Sequence, residues 1–211
     1  MNEIKYPNEY AVWDLETSGL NKATDKILEI GLAIVKDGEI HETHSWLLNN
    51  GITISEETTK LTGITQEMID ADGYDPKEAL TEFFAIFDAK KPHLTHNGMR
   101  FDIPFLAEQS MKIFGCTIGK WEELTNNLYG SSIDSAVLMK AKKLELPRMW
   151  NESFKDYADR VMEIRAFGVK YNVSVCCDDL GIDKSAVTMH RALGDVELTH
   201  QIYQRMIFPT I

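Results

Sequence analysis

Two carboxylates, Asp14 and Glu16, stand two residues apart in the run Tyr10-Ala11-Val12-Trp13-Asp14-Leu15-Glu16-Thr17-Ser18-Gly19-Leu20. The run is apolar, β-branched and aromatic, and it closes on a Ser-Gly pair, which reads as a buried strand ending in a turn. Residues i and i+2 of a strand share a face, so both acids point the same way. Like charges at the end of a buried strand repel each other and resist desolvation, and a divalent cation is the obvious compensation. Spacing alone does not single out this pair, because Asp37/Glu39 and Asp195/Glu197 repeat it. Gly38 makes the first of these a hairpin turn, and the second lies in a helical pattern, where i and i+2 diverge.

Two further groups lie downstream. Asp102 closes His96-Asn97-Gly98-Met99-Arg100-Phe101-Asp102 at the start of a helix, where an Asp cap is also at home. His190 and Asp195 belong to Met189-His190-Arg191-Ala192-Leu193-Gly194-Asp195. Five residues apart on a regular helix they would face different ways, but a histidine just ahead of the helix and an aspartate inside it can reach one site. Gly194 weakens that helix by about 1 kcal/mol, so a close approach is expected there.

The elements that must position these groups are legible as an alternation. Residues 10–16, 26–36 and 39–48 read as three strands joined by short turns, an antiparallel meander with Asp37-Gly38 at its second turn. Short helices follow at 55–64 and from Thr65. Asp75-Pro76-Lys77-Glu78 is a strong helix start, leading into a core stripe of Phe83, Phe84 and Phe87. A short strand at 93–96, a helix at 101–114 ending at Gly115, a final strand at 129–133 and a helix capped by Asp134 come next. Residues 147–172 then carry Trp150, Phe154, Tyr157 and Phe167 among Arg148, Lys155, Arg160, Arg165 and Lys170, with a helix over 153–164. Two readings of this segment stay open: a helical insertion packed on the core with a solvated basic face, and a nucleic-acid platform using an exposed Trp150. A short helix capped by Ser174 and a long one over 191–206 finish the chain. The order gives an α/β fold with a mixed five-stranded sheet flanked by helices.

The 211 residues suit one domain able to bury a full core, with 44% hydrophobic and 26% charged residues. A net charge of −11 is the wrong sign for a protein that coats nucleic acid, though not for an enzyme whose site gathers carboxylates around metal ions. A polar N-terminus and the lack of any long apolar run predict no signal peptide and no membrane span. Three cysteines, Cys116, Cys176 and Cys177, show no metal-ligand spacing, and the odd count predicts reduced thiols and a cytoplasmic setting.

Taken in order, Asp-x-Glu-Thr, His-Asn-x-x-x-Phe-Asp and His-x-Ala-x-x-Asp resemble the three motifs of the DEDDh 3′→5′ exonuclease family, within the DnaQ-like proofreading superfamily. Leu61-Thr62-Gly63-Ile64-Thr65 is similar to a segment these proteins carry between the first two motifs. Three residues between His-Asn and Phe-Asp, and the Gly194-Asp195 pair, resemble the three-prime repair exonuclease branch. The 147–172 segment does not match that branch. The resemblance implies a ribonuclease-H-like fold in which Asp14, Glu16, Asp102 and Asp195 hold two Mg²⁺ or Mn²⁺ ions. It implies His190 as general base and Thr17, Leu20, Ile64 and Asn97 against the substrate. The activity implied is release of nucleoside 5′-monophosphates from single-stranded or frayed DNA ends, in replication proofreading or repair. Trimming of RNA is a second reading, and a non-catalytic nucleic-acid-binding module a third. Finally, Gln204-Arg205-Met206-Ile207-Phe208 resembles the short motif that docks bacterial replication enzymes on the sliding clamp, or else it simply finishes an amphipathic helix.

Overall fold

Strand β1 (Tyr10–Thr17) is the middle of a five-stranded sheet in the order β3-β2-β1-β4-β5. The computed structural model describes residues 6–207. On one side β1 pairs antiparallel with β2 (Ile27–Lys36), which pairs antiparallel with β3 (Glu39–Leu47). On the other it pairs parallel with β4 (His93–Thr95), which pairs parallel with β5 (Ser132–Asp134). This is the mixed sheet expected: meander first, parallel strands after. Asp37 and Gly38 both take positive φ, 51° and 80°, as a tight hairpin requires.

Cross-strand partners share a face, so Asp14 sits beside Gly31 and Glu16 beside Glu29. Helix α9 (Ala192–Ile207) covers that face, with the Tyr203 ring edge-on to Tyr10 at 5.0 Å and His200 Nδ1 bonded to the Tyr10 hydroxyl at 3.1 Å. Gly31 lets it in: a Cβ there would lie 2.6 Å from the carbonyl carbon of Ala192. Gly194 shows the close approach its cost implied, since a Cβ would lie 2.0 Å from the Thr188 carbonyl oxygen.

The opposite face holds Trp13, Ile30, Leu32 and Trp46, packed on Phe83 and Phe87 at the end of α3 (Pro76–Ile86). Trp13 Nε1 donates to His93 Nδ1 at 3.0 Å, which leaves Nε2 to donate to the Leu128 carbonyl at 2.9 Å. Burial pushes the His93 imidazole down to about 4, so it is neutral in this role.

Most helix signals are obeyed. Ser55 caps α1 (Glu56–Thr62), which stops at left-handed Gly63, and Thr65 caps α2 (Gln66–Asp72). Asp75 caps α3, α4 (Asp102–Phe114) ends at left-handed Gly115, and Asp134 caps α6 (Ser135–Lys143). Ser153 caps α7 (Phe154–Glu163), whose Tyr157, Ala158, Val161 and Met162 join the main core. Two readings are corrected. Residues 129–131 belong not to the last strand but to α5 (Ile118–Ser131), which buries only Leu128 and so shows almost no apolar stripe. Helix α8 (Val173–Leu180) is capped by Asn172, whose side chain accepts from the Val175 N–H at 3.0 Å, and Ser174 lies inside it. The three cysteines are unpaired, and among the described residues no helix is long and apolar enough to cross a membrane.

Backbone contact at Gly31 makes a sharp prediction. Gly31→Ala should destabilise the protein by about 1–3 kcal/mol in urea unfolding, because the methyl has nowhere to go. Gly119→Ala, in a helix with open space around it, should stabilise by about 0.5–1 kcal/mol.

Candidate active site

Asp14 and Glu16 leave the same face of β1 near its C-terminal end, and Asp195 enters from the first turn of α9. Each of the three offers a carboxylate oxygen within 4.8 Å of the others. Asp102 opens α4, and its Oδ1 accepts from the Leu15 N–H at 3.1 Å, pinning it to the strand residue between the two acids. His190 occupies the turn before α9 with φ 59°, exposed to solvent, and its backbone N–H reaches the Asp195 carboxylate. Residues from three separate stretches of the sequence thus gather at one end of the sheet.

The electrostatics of the group are severe. Burial first, then the charges of Asp102, Asp195 and Glu16, raise Asp14 well above the usual carboxylate range. Burial and Asp195 push Glu16 up to about 8, and burial brings Asp102 up to about 7 despite its bond from Leu15. Asp195 is raised by burial and relieved by the nearby His190, and its Oδ1 is buried with no hydrogen-bond partner. An all-carboxylate cluster holding an orphaned buried oxygen fits a hard divalent cation such as Mg²⁺ or Mn²⁺. Asp14, Glu16 and Asp195 are the residues that could hold it.

A different acid, Glu29, was not singled out by the sequence. It is 1% exposed and accepts four bonds: Arg191 Nε at 2.9 Å, Arg191 Nη2 at 2.8 Å, the Ala192 N–H at 3.1 Å and Ser45 Oγ at 2.8 Å. Burial alone would raise it, but these bonds hold it below the ordinary glutamate range. The pair ties β2 to the start of α9, one residue from His190 and four from Asp195. Only a charged residue inside an apolar strand hinted at it, and the partner 162 positions away was not readable. Asp134, read only as a helix cap, also accepts from the backbone N–H groups of Asn97 and Met99, at 2.8 and 3.1 Å. It thereby shapes the loop that delivers Asp102.

The expected substrate residues divide. Leu20 is 86% exposed and lines a separate cavity with Arg100 and Phe101, and Thr17 donates its hydroxyl to the Gly19 carbonyl at 2.7 Å, fixing the loop between them. Asn97, at φ 62°, lines a cavity of about 640 Å³ together with His96, Tyr171, His190 and Asp195. Ile64 is corrected: it is fully buried with Leu28, Ile54 and Ile69 and offers no side-chain surface to a substrate, whereas its neighbour Leu61 is exposed. Trp150 is exposed, but the residues that bracket it, Arg148 and Phe154, border a cavity with Tyr6, Pro92 and Ser132, at the ends of β4 and β5 remote from the acids. Gln204 donates to the Tyr10 hydroxyl at 2.8 Å within the fold, and Phe208 lies outside the described residues.

Comparison with known proteins identifies the family and the fold. Residues 11–203 match the RNase T family model, described as an exonuclease. A DNA polymerase III PolC-type protein of Caldanaerobacter subterraneus subsp. tengcongensis is 28% identical over 98% of this chain, and one of Mycoplasmopsis pulmonis is 39% identical over 48%. The chain covers only 12% and 7% of those relatives' lengths. Among solved structures, Escherichia coli Exonuclease I in complex with a dA16 oligonucleotide superposes with a TM-score of 0.68 at 18% identity, covering 96% of this chain and 42% of that one. That likeness shows the same ribonuclease-H-like exonuclease fold.

Crowded acids give the metal-free protein a definite pH response. Glu16 and Asp102 keep their protons to about 8 and 7 when folded, but ordinary carboxyls lose them near 4 when unfolded, so the folded state binds more protons and stability falls as pH rises from about 4 to 8. Thermal melts in EDTA should show that decline, Asp14→Asn should flatten it, and Mg²⁺ should reverse it at pH 8. Separately, Arg191→Ala should cost on the order of 3 kcal/mol in urea unfolding, because it strands a buried carboxylate.

Proposed function

This chain belongs to the RNase T exonuclease family, and from that premise we propose that it removes nucleoside 5′-monophosphates one at a time from the 3′ end of single-stranded or frayed DNA, in replication proofreading or repair. The observation that carries the reading is the meeting of Asp14, Glu16 and Asp195 beside Asp102 and His190, at the rim of an open cavity. Asp14, Glu16 and Asp195, with Asp102 supporting the second, would hold two divalent ions, Mg²⁺ or Mn²⁺, which when bound would supply Lewis-acid activation of water and neutralise charge on the phosphate.

The remaining steps belong to the chain's own side chains. The exposed imidazole of His190 takes the proton of the attacking water, and the Asp195 carboxylate, beside the His190 backbone N–H, favours the turn that presents it. The Glu29–Arg191 pair fixes the start of α9, so base and acids keep their spacing. Leu20 wedges against the terminal base from the loop that the Thr17 hydroxyl closes. Asn97, left-handed and bonded to Asp134, presents a polar wall to the terminal nucleotide. A strand end must be single-stranded or frayed for its terminal phosphodiester to reach the acids.

The relatives support DNA over RNA: the similar sequences are DNA polymerase III proteins, and the fold is shared with Exonuclease I in complex with a dA16 oligonucleotide. A net charge of −11 fits distributive trimming better than a processive grip. Docking on a sliding clamp through Gln204 to Phe208 would require Gln204 to give up its bond to Tyr10.

With 5′-labelled single strands of DNA and RNA in Mg²⁺, the DNA should shorten from its 3′ end and the RNA more slowly. Asp14→Ala should abolish the ladder, and His190→Ala should slow it about 10²- to 10⁴-fold. Faster loss of RNA would select the RNA-trimming reading. No digestion of either polymer with Mg²⁺ or Mn²⁺ would leave only a binding module.

A further inference from the structure

Helix α7 carries the 147–172 segment from one end of the sheet to the other. Its beginning lies with Arg148 and Phe154 at the remote cavity, and Val169, Lys170 and Tyr171 line the catalytic cavity. The stretch between, residues 164–172, has no regular structure but is tied down along its length. Lys140 of α6, buried with no carboxylate beside it, donates to the carbonyls of Met162 and Ile164 at 3.2 and 2.9 Å, and its ammonium lies 5.5 Å from the centre of the Tyr171 ring. Lys143 donates to the Lys170 carbonyl. His96, next to the Asn97 wall of the site, donates from Nε2 to the Tyr171 carbonyl at 2.8 Å. A surface stretch held this firmly still leaves Phe167 fully exposed, more so than any other large apolar side chain among the described residues. Left-handed Gly168, at φ 80°, turns the chain beneath it, and Arg165 and Lys170 flank it, both exposed.

We propose that residues 164–172 form a fixed strap that guides a single nucleic-acid strand into the catalytic cavity, with Phe167 stacking on a base a few nucleotides upstream of the 3′ end and Arg165 and Lys170 engaging the phosphates. The inference rests on the exonuclease reading above, and it names the surface that gathers the strand. An exposed aromatic between two cations fits that partner better than an apolar protein face, because the rings of bases and the phosphates between them complement both features at once. Continuity with the cavity through Val169 and Lys170 sets the direction of the strand. The strap adds exposed positive charge to a chain of net charge −11.

The test compares a 12-residue oligothymidylate with the p-nitrophenyl ester of thymidine 5′-monophosphate, which occupies the site but cannot reach Phe167. Phe167→Ala should raise KM for the oligomer roughly ten-fold, with kcat unchanged, and leave the ester untouched; Phe167→Trp should behave as the parent does. Arg165→Gln and Lys170→Gln should each lower by about 0.7 the slope of log Kd against log salt for the oligomer, measured by anisotropy with Ca²⁺ in place of Mg²⁺. An unchanged KM and Kd in Phe167→Ala, or an equal loss on ester and oligomer, would overturn the proposal. If the intact protein cleaves neither substrate but binds the oligomer through Phe167, the exonuclease reading fails and the strap stands. If it neither cleaves nor binds, both fail.

Discussion

Carboxylates that share a buried end of one strand push each other apart, and much of this structure is arranged to hold them together. Asp14 and Glu16 are fixed by strand geometry, Asp102 by a bond to the backbone between them, and Asp195 by the seating of α9 on the sheet. The nearest fixed positive charge, Arg191, is spent on Glu29 and only partly offsets Glu16. Without cations the cluster therefore keeps protons that ordinary carboxyls would lose, and the fold carries that repulsion as latent strain. A site of this kind is held in readiness by the rest of the protein and relieved only by what it binds.

The sequence disclosed the chemistry more fully than the scaffolding that supports it. Asp14, Glu16, Asp102, His190 and Asp195 could be picked out because their types and order resemble a known family, and the meander and caps because Asp-Gly, Asp-Pro and the αL glycines have local physical meaning. Helix α5 was invisible because a surface helix that buries one leucine shows no periodic stripe. The Glu29–Arg191 tie was unreadable because its partners are distant in the chain, and burial of a charge reveals the need for a partner without naming it. Ile64 shows the opposite failure: a residue carried over by resemblance turns out to be core. The spacing between Asn97 and Phe101 pointed toward three-prime repair exonucleases, whereas the relatives described above are PolC-type proteins and Exonuclease I.

The 147–172 segment resisted a single reading because composition does not say which end of a helix meets the site. Aromatic and basic residues occur along its whole length. The structure divides them: Arg148 and Phe154 border a cavity at the far end of the sheet, Tyr157 enters the core, and Lys170 lines the cavity that holds Asp195 and His190. A helix of ten residues spans about 15 Å, enough to separate a stacking candidate from the site it was meant to serve.

At the contact between Gly31 and Ala192 the strand presents bare main chain, and the helix meets it with the carbonyl and the methyl of Ala192. The gap between sheet and helix is therefore set by backbone and one small side chain, indifferent to most of what the helix displays elsewhere. Glu197 and Arg205, on the outward side of α9, are free to drift in character without altering the depth at which Asp195 is set. That independence leaves the exterior of the unit free to vary around a fixed interior; the PolC-type relatives are much longer chains, of which it spans about a tenth.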